Sequence, residues 1–111
     1  MVAAAAYNGP VYLRLSRANV PDVYQASVSF EIGKAVELSS GKDVALIATG
    51  YMVQKALEAA ELLKNKGIHA TVLDMHTIKP LDYEAIVTVA KRCGAVVVCE
   101  EHSTTCGLGS Q

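Results

Sequence analysis

The sequence has 111 residues, of which 51% are hydrophobic and 19% are charged, a length and composition that suit one compact domain and exclude two full domains. Lys and Arg number 10 against 11 Asp and Glu, and the resulting formal net charge of -1 offers no basic field to attract nucleic acid or anionic lipid. Its longest apolar runs fall far short of the roughly 20 residues that span a bilayer, and its start lacks the pattern of a secretory signal, so we expect a soluble, cytoplasmic protein.

The first part of the chain has the weakest pattern. Residues 10–15 alternate apolar and polar side chains in the manner of a half-buried strand. Residues 18–30 follow as a predicted linker, because turn-forming residues interrupt any regular period there. These linker residues include Pro21, Asp22 and Ser27.

A regular alternation of strands and helices begins near residue 43. Val44–Ala48 is a short apolar run without polar alternation, which is typical of a strand covered on both faces in a parallel sheet. Residues 51–66 then change to a helical period with one apolar face, and Gly67 follows as a helix stop. The apolar face of this helix consists of Val53, Ala56, Leu57, Ala60 and Leu63.

The same unit then repeats. Ala70–Asp74 is a second β-rich run, and a second helix is predicted to begin at Asp82, with this aspartate as its N-cap and Glu84 in its first turn. Residues 95–99 form a third, fully apolar strand. The core side of the second helix is predicted to carry Ile86, Val89, Ala90 and Cys93.

These elements predict the α/β fold class, as a three-layer β-α-β-α-β domain with a parallel sheet and helices over its faces. A sheet of only three parallel strands leaves apolar surface uncovered. The domain therefore reads as incomplete, and we expect the chain to be part of something larger.

Chemistry in an open parallel sheet is expected at the carboxyl ends of its strands, where ligands gather. A carboxylate beside an imidazole at this edge can serve in general acid and base catalysis. Capping and ion pairing are the commoner roles, and the adjacent Glu100 and Glu101 leave a strand on opposite faces. No catalytic residue is therefore assigned, and the roles of His76 and His102 stay open. The edge carries Asp74, His76, Glu100, Glu101 and His102.

The cysteines do not define a site. Cys99, His102 and Cys106 resemble part of a metal centre, but a structural zinc site needs four ligands and nothing completes the set. Cys93 and Cys99 are predicted as small core side chains, and Cys106 lies in a glycine-rich loop without an assigned role. An odd count of 3 cysteines also favours a reducing compartment. No metal-binding or cofactor-binding residue is predicted.

Arg14 and Arg17 lie at and just past the end of the first predicted strand. A guanidinium in such a position presents a planar fork of N–H donors that can hold a phosphate through two hydrogen bonds. A surface ion pair is the alternative role. Arg17 is the candidate phosphate-binding residue.

Several segments, in this order and at matching separations, resemble the transketolase family. The likeness covers nearly the whole chain and is strongest to the C-terminal half of transketolase, including the separately encoded C-terminal subunit found in some microbes. It implies a dimeric enzyme of the pentose phosphate pathway that uses thiamine diphosphate and magnesium to move a two-carbon ketol unit between sugar phosphates. The segments are 9–17 (GPVYLRLSR), 30–35 (FEIGKA), 43–50 (DVALIATG), 74–80 (DMHTIKP), 100–102 (EEH) and 107–110 (GLGS).

The resemblance also implies which domains of the enzyme bind the cofactor, the metal and the substrate. In that family an N-terminal domain binds the diphosphate and the metal, and a middle domain holds the aminopyrimidine. Residues 1–28 then correspond to the last strand of the middle domain plus a linker, and residues 29–111 to a truncated C-terminal domain. Arg17 matches an arginine that binds the phosphate of the substrate. We expect a chain that binds no cofactor and is inactive alone, with an N-terminal transketolase domain or subunit as partner and a homo-oligomeric assembly.

One departure and several alternatives accompany this interpretation. Cys106 stands where family members usually have glycine, which affects the geometry of that turn. Deoxyxylulose-phosphate synthase and the beta subunit of 2-oxo acid dehydrogenases share the C-terminal domain, although Arg17 disfavours the dehydrogenase because its substrate has no phosphate. Two further alternatives are a purely structural dimerisation or assembly module and a free-standing small α/β binding domain.

Overall fold

The computed structural model describes residues 1–24 and 28–111. In these ranges no helix combines the length and apolar character needed to cross a membrane. The strands are β1 (Val36–Ser39), β2 (Val44–Ala48), β3 (Ala70–Asp74) and β4 (Val96–Cys99). The helices are α1 (Val2–Ala6), α2 (Met52–Lys64) and α3 (Tyr83–Arg92), followed by a 3-10 turn at Leu108–Ser110.

The four strands form one sheet in the order β1-β3-β2-β4. Strand β2 pairs in parallel with β3 on one side, from Val44 opposite Ala70 to Ala48 opposite Asp74, and in parallel with β4 on the other. Nearly all residues of β2 and β3 are buried, as expected of apolar strands without alternation. The predicted parallel core is confirmed.

Helices α2 and α3 cover opposite faces of the sheet. Val53 and Ala56 of α2 pack in one cluster with Leu46 of β2, whereas Val89 of α3 packs in a second cluster with Ile47. Because successive strand residues point to opposite faces, β2 contributes to both clusters. The molecule therefore has the predicted three layers of an α/β fold.

The ends of the helices follow the local signals in the sequence. The side chain of Asp82 accepts a hydrogen bond from the backbone N–H of Ala85 at 3.0 Å, so it is the N-cap of α3 as predicted. Past the end of α2, Gly67 takes a positive φ of 78°, a conformation that glycine adopts without strain. The prediction that Ala90 lies on the core side of α3 is wrong, because Ala90 is exposed. Val89, which was also predicted there, is buried.

The prediction of a strand over residues 10–15 is wrong. The structure has no strand there, and the side chains of Tyr12 and Leu15 are 88% and 74% exposed. Alternation alone does not make a strand, because backbone hydrogen bonds need a neighbouring edge, and within the described ranges no strand pairs with this segment. Of the predicted linker, Ser27 and its two preceding residues lie outside the described residues.

Strand β1 was not predicted, and it makes the sheet mixed. It pairs antiparallel with β3 and has only four residues, two of which are the polar Glu37 and Ser39. At the opposite edge, β4 forms as predicted but is not covered like β2. Its three valines, Val96, Val97 and Val98, are between 39% and 47% exposed.

Candidate functional site

The carboxyl ends of β2, β3 and β4 meet at one edge of the sheet. Ala48 is in register with Asp74 on one side and with Cys99 on the other. The backbone N–H of Thr49 also donates to the carbonyl oxygen of Cys99 at 3.2 Å. The loops that begin at Thr49, Asp74 and Glu100 therefore start side by side, as the topology predicts.

Asp74 is the most deeply buried acid of this edge. Asp74 is only 5% exposed. Its Oδ2 atom accepts a hydrogen bond from the hydroxyl of Tyr24. The other carboxylate oxygen, Oδ1, is buried without a hydrogen-bond partner in the described structure. Burial raises the pKa of Asp74, and the Tyr24 hydrogen bond and the nearby His76 only partly offset this effect. Burial and Asp74 in turn raise the pKa of Tyr24.

His76 lies two residues further on and is half-buried. Its Nδ1 atom is 2.9 Å from the hydroxyl oxygen of Thr77, and its Nε2 atom is buried without a partner among the described residues. The ring stacks on Phe30 with centroids 4.1 Å apart and an angle of 33° between the planes. Burial lowers the pKa of His76 more than the negative charge of Asp74 raises it. This arrangement suits a neutral ring that holds Phe30 in place.

The acids that follow β4 do not join this cluster. Glu100 accepts a hydrogen bond from the backbone N–H of Gly109 at 3.0 Å, so its carboxylate closes the last turn of the chain. Burial opposes ionisation of Glu100, but the N–H groups of Gly109 and Leu108 outweigh it and lower its pKa. Gly107 packs closely against this carboxylate, and a side chain at that position would force the end of the Glu100 side chain to shift.

Glu101 and His102 lie on the surface. The carbonyl oxygen of Glu101 accepts a weak hydrogen bond from the guanidinium of Arg14 at 3.4 Å, and the Nδ1 atom of His102 is 3.1 Å from the carbonyl oxygen of Ser103. The two neighbouring glutamates thus have separate environments, in agreement with the sequence. The geometry gives Glu100 a structural role and brings none of these three groups to His76.

The described residues offer neither a three-ligand metal cluster nor free N–H groups for an anion at the turn Leu108–Ser110. Within residues 1–24 and 28–111, no three His, Cys, Asp or Glu side chains gather closely enough to hold a metal ion. The N–H groups that could bind an anion near Leu108–Ser110 are occupied by the Glu100 carboxylate. Cys93 is buried and Cys99 is half-buried, with a pKa raised by burial, whereas Cys106 is exposed.

The structure places Arg17 on the surface, at the end of the exposed segment 10–17. It is Arg14, not Arg17, that reaches the loop after β4. This contact places the arginine segment near the carboxyl edge of the sheet. The guanidinium of Arg17 is accessible to an anion.

Two residues of the edge were missed from the sequence. Tyr24 and Phe30 contact Asp74 and His76, yet both lie in the predicted linker, where no hydrophobic period marks them. Aromatic character marks both residues, and Phe30 also begins the segment 30–35 that contributes to the family resemblance. Such isolated aromatic residues do not reveal their partners, because those partners lie far along the chain.

The mixed sheet with helices on both faces defines a three-layer α/β domain. The family model described as "Transketolase, C-terminal domain" matches residues 33–111, which is most of the chain. The protein therefore belongs to the transketolase family, as a C-terminal region. The resemblance stated from the sequence is confirmed.

Similar proteins carry transketolase-type names. The chain is 48% identical to a subunit of apulose-4-phosphate transketolase from Phocaeicola vulgatus, over 94% of this chain and 34% of that protein. It is also 48% identical to the 6-deoxy-6-sulfo-D-fructose transketolase subunit SqwH of a Clostridium species, over 95% of this chain and 33% of the relative. A 1-deoxy-D-xylulose-5-phosphate synthase from Synechococcus elongatus is 42% identical over 99% of this chain and 18% of its own length.

A solved structure shares the fold. It is described as a split gene transketolase in an inactive beta4 tetramer, and it matches with a TM-score of 0.92 and 50% sequence identity. The match covers 96% of this chain and 36% of the other. The chain thus spans about a third of the length of the subunits that it resembles.

Proposed function

We propose that the chain is the C-terminal part of a transketolase that transfers a two-carbon ketol unit between sugar phosphates. The observation that carries this proposal is the family match over residues 33–111, which coincides with the three-layer fold and its ordered carboxyl edge. Two relatives at 48% identity are named as transketolase subunits, which supports the same activity.

The proposed activity needs parts that this chain shares with a larger assembly. Thiamine diphosphate supplies the carbanion chemistry of such enzymes when it is bound. We assign cofactor and magnesium binding to an N-terminal transketolase domain or subunit, and the match to a C-terminal domain model supports this assignment. On this proposal the isolated chain is inactive and contributes scaffold and substrate contacts. A homo-oligomer is supported by the description of the structural neighbour as a tetramer.

Arg17 is the residue that we propose to contact substrate. Its guanidinium is exposed, and the hydrogen bond between Arg14 and Glu101 places its segment near the carboxyl edge. The sugars named in two relatives carry a phosphate or a sulfonate, and both groups are tetrahedral oxyanions. A guanidinium fork binds such groups through paired hydrogen bonds. This chemistry supports Arg17 as the anchor for the anionic end of the substrate.

We further propose that residues 1–28 are the end of a preceding pyrimidine-binding domain together with the linker. Helix α1 and segment 10–17 expose many apolar side chains that a neighbouring domain would cover, because a monomeric protein seldom leaves so many together. These side chains are Met1, Val2, Tyr7, Val11, Tyr12, Leu13 and Leu15.

Deoxyxylulose-phosphate synthesis is the second candidate function. The supporting observation is the 42% identity to 1-deoxy-D-xylulose-5-phosphate synthase, which extends over 99% of this chain. The two candidates differ in product. Formation of 1-deoxy-D-xylulose 5-phosphate without ketol transfer would favour the synthase.

Reconstitution tests the proposed function. The chain is mixed with a separately produced N-terminal transketolase subunit, thiamine diphosphate and magnesium, and ketol transfer between phosphorylated sugars is measured. We expect activity only when both polypeptides are present. Full activity of the partner in the absence of the chain would contradict the proposal, and so would a mixture that forms a complex but transfers no ketol group.

A further inference from the structure

We propose that Tyr24 and Phe30 form a clasp that docks the described linker residues, 18–24 and 28–30, on the carboxyl edge of the sheet, and that charging of His76 opens this clasp. The clasp consists of two contacts, the hydrogen bond between Tyr24 and Asp74 and the ring stack between Phe30 and His76. Asp74 is the last residue of the buried strand β3, and His76 lies two residues beyond it. The proposal goes beyond ketol transfer and does not depend on it.

The first contact combines a polar bond with apolar packing. The hydroxyl of Tyr24 reaches the Oδ2 atom of Asp74, which is 5% exposed, and the adjacent Val23 packs against the core cluster on the α2 side of the sheet. Removal of the linker would leave both carboxylate oxygens of Asp74 without a protein partner, because Oδ1 already has none among the described residues. A buried carboxylate in that state is costly, so this contact favours the docked linker.

The second contact depends on the charge state of the imidazole. Phe30 is 48% exposed, and the centroid of its ring lies 4.1 Å from that of His76. The docked linker contributes to the burial of His76, whose Nε2 atom is already enclosed without a partner in the described structure. A proton added to the ring would place a positive charge in this site and leave its N–H unpaired. The docked state therefore favours neutral His76.

The neighbouring titratable groups set the sign of the effect. Asp74 acts on His76, whereas Asp74 and Asp22 act on Tyr24. Burial lowers the pKa of His76 in the docked state, so the undocked state binds the proton more readily and docking weakens as the pH falls below about 6.5. Burial raises the pKa of Asp74, so protonation of Asp74 acts in the opposite direction.

The size of the effect has an upper bound. If His76 stays neutral when docked and has an ordinary pKa of about 6.5 when undocked, acidification from pH 7.5 to 5.5 shifts the docking equilibrium by at most about tenfold.

Limited proteolysis measures the open population of the linker. The full chain is digested at pH 7.5 and 5.5 with a protease that cuts after aromatic residues, and cleavage after Tyr24 and Phe30 is followed by mass spectrometry. Each rate is divided by that of a free peptide with the sequence of residues 18–34, which removes the effect of pH on the protease. We expect the normalised rate to rise three- to tenfold on acidification.

Two variants separate His76 from the other groups. His76→Phe keeps an aromatic ring but cannot take a proton, so its normalised rate should not rise at pH 5.5. His102→Gln removes an exposed histidine near the same edge and should behave like the unsubstituted chain. An unchanged rate in the unsubstituted chain would overturn the proposal, as would a fall on acidification or an equal rise in His76→Phe.

A third variant tests the clasp if His76→Phe fails to fold. Cleavage within β2 or α2 would show that His76→Phe has lost the fold, and Phe30→Leu then replaces it. Without the stacked ring, Phe30→Leu should be cleaved faster than the unsubstituted chain at pH 7.5 and should lose most of the pH dependence. A pH response of full size in Phe30→Leu would contradict the clasp.

Discussion

Cys106 occupies a backbone conformation that suits glycine. Its φ of 63° lies in the left-handed region, where a side chain costs about 1–2 kcal/mol. The sequence indicated this position, because the related motif has glycine there. The turn keeps its geometry with cysteine because Glu100 binds the N–H of Gly109 and Leu108 is buried against the core.

Cys106→Gly should therefore stabilise the chain. We expect the free energy of unfolding to rise by about 0.5–1 kcal/mol, since the relief of left-handed strain exceeds the added entropy of the unfolded chain. Cys106→Ala is the matched control and should give no gain, because alanine keeps the Cβ atom. Urea denaturation measures both variants, and an equal gain in the two would contradict the role of strain.

Asp82 joins the start of α3 to the residue before β1. Its two carboxylate oxygens accept hydrogen bonds from the backbone N–H of Ala85 at 3.0 Å and of Ala35 at 2.9 Å. The N-cap was predicted from the sequence, whereas the bond to Ala35 was not, because it links residues that are distant along the chain. Asp82 is 7% exposed, so both bonds are shielded from water.

Asp82→Ala should lower the free energy of unfolding by about 2 kcal/mol, since it removes the cap and leaves two N–H groups without their acceptor. Glu84→Ala changes an exposed acid in the first turn of the same helix, and we expect an effect within about 0.5 kcal/mol. Urea denaturation of both variants at pH 7 checks this difference. Equal losses in the two variants would show that Asp82 acts only as a first-turn charge.

The contribution of Asp82 should also depend on pH. Burial opposes ionisation, but the two backbone N–H groups and Lys34 outweigh it and lower the pKa of Asp82. The stabilisation from ionised Asp82 is therefore complete above the unfolded pKa of about 3.9 and is lost as the pH falls through the lower folded value. The stability difference between the unsubstituted chain and Asp82→Asn should shrink from pH 5 to pH 2. A constant difference would contradict this assignment.

At the scale of elements, buried strands could be predicted from the sequence, whereas the strand β1 at the sheet edge could not. Val44–Ala48 and Ala70–Asp74 are continuous apolar runs, and the structure buries them as predicted. Val36–Ser39 was not recognised because half of its residues are polar and its only pairing is with β3 at the sheet edge. Residues 10–15 show the converse error, in which a clear alternation lacks a strand to pair with in the described structure.

The exposed edge at β4 predicts self-association of the chain. Val97 is 47% exposed on a strand whose pairing in the described structure is with β2 alone, and an apolar strand edge of this kind recruits other strands. Val97→Lys should reduce association at high concentration and change the free energy of unfolding by less than about 1 kcal/mol. Lys55→Ala, on the exposed side of α2, is the control. Light scattering that stays the same in both variants would contradict the role of this edge.

At the scale of the whole molecule, the sequence predicts the location of the site better than its contacts. Topology placed Asp74 and His76 at one edge, and the structure confirms their proximity. Tyr24 and Phe30 could not be predicted as their partners, because a hydrogen bond and a ring stack over long separations leave no period in the sequence. The family likewise followed from ordered motifs, whereas the role of Arg17 stays a prediction.

The measurement that tests the central claim most directly compares KM for phosphorylated and unphosphorylated sugars in the reconstituted enzyme. We expect Arg17→Ala to raise KM at least tenfold for the phosphorylated sugar, with a much smaller change in kcat and little change for the unphosphorylated one. Lys66→Ala, which removes an exposed cation between α2 and β3, is the control, and it should not discriminate between the two sugars. An equal effect of Arg17→Ala on both sugars, or no effect, would contradict the account of this chain as the part that anchors the substrate anion.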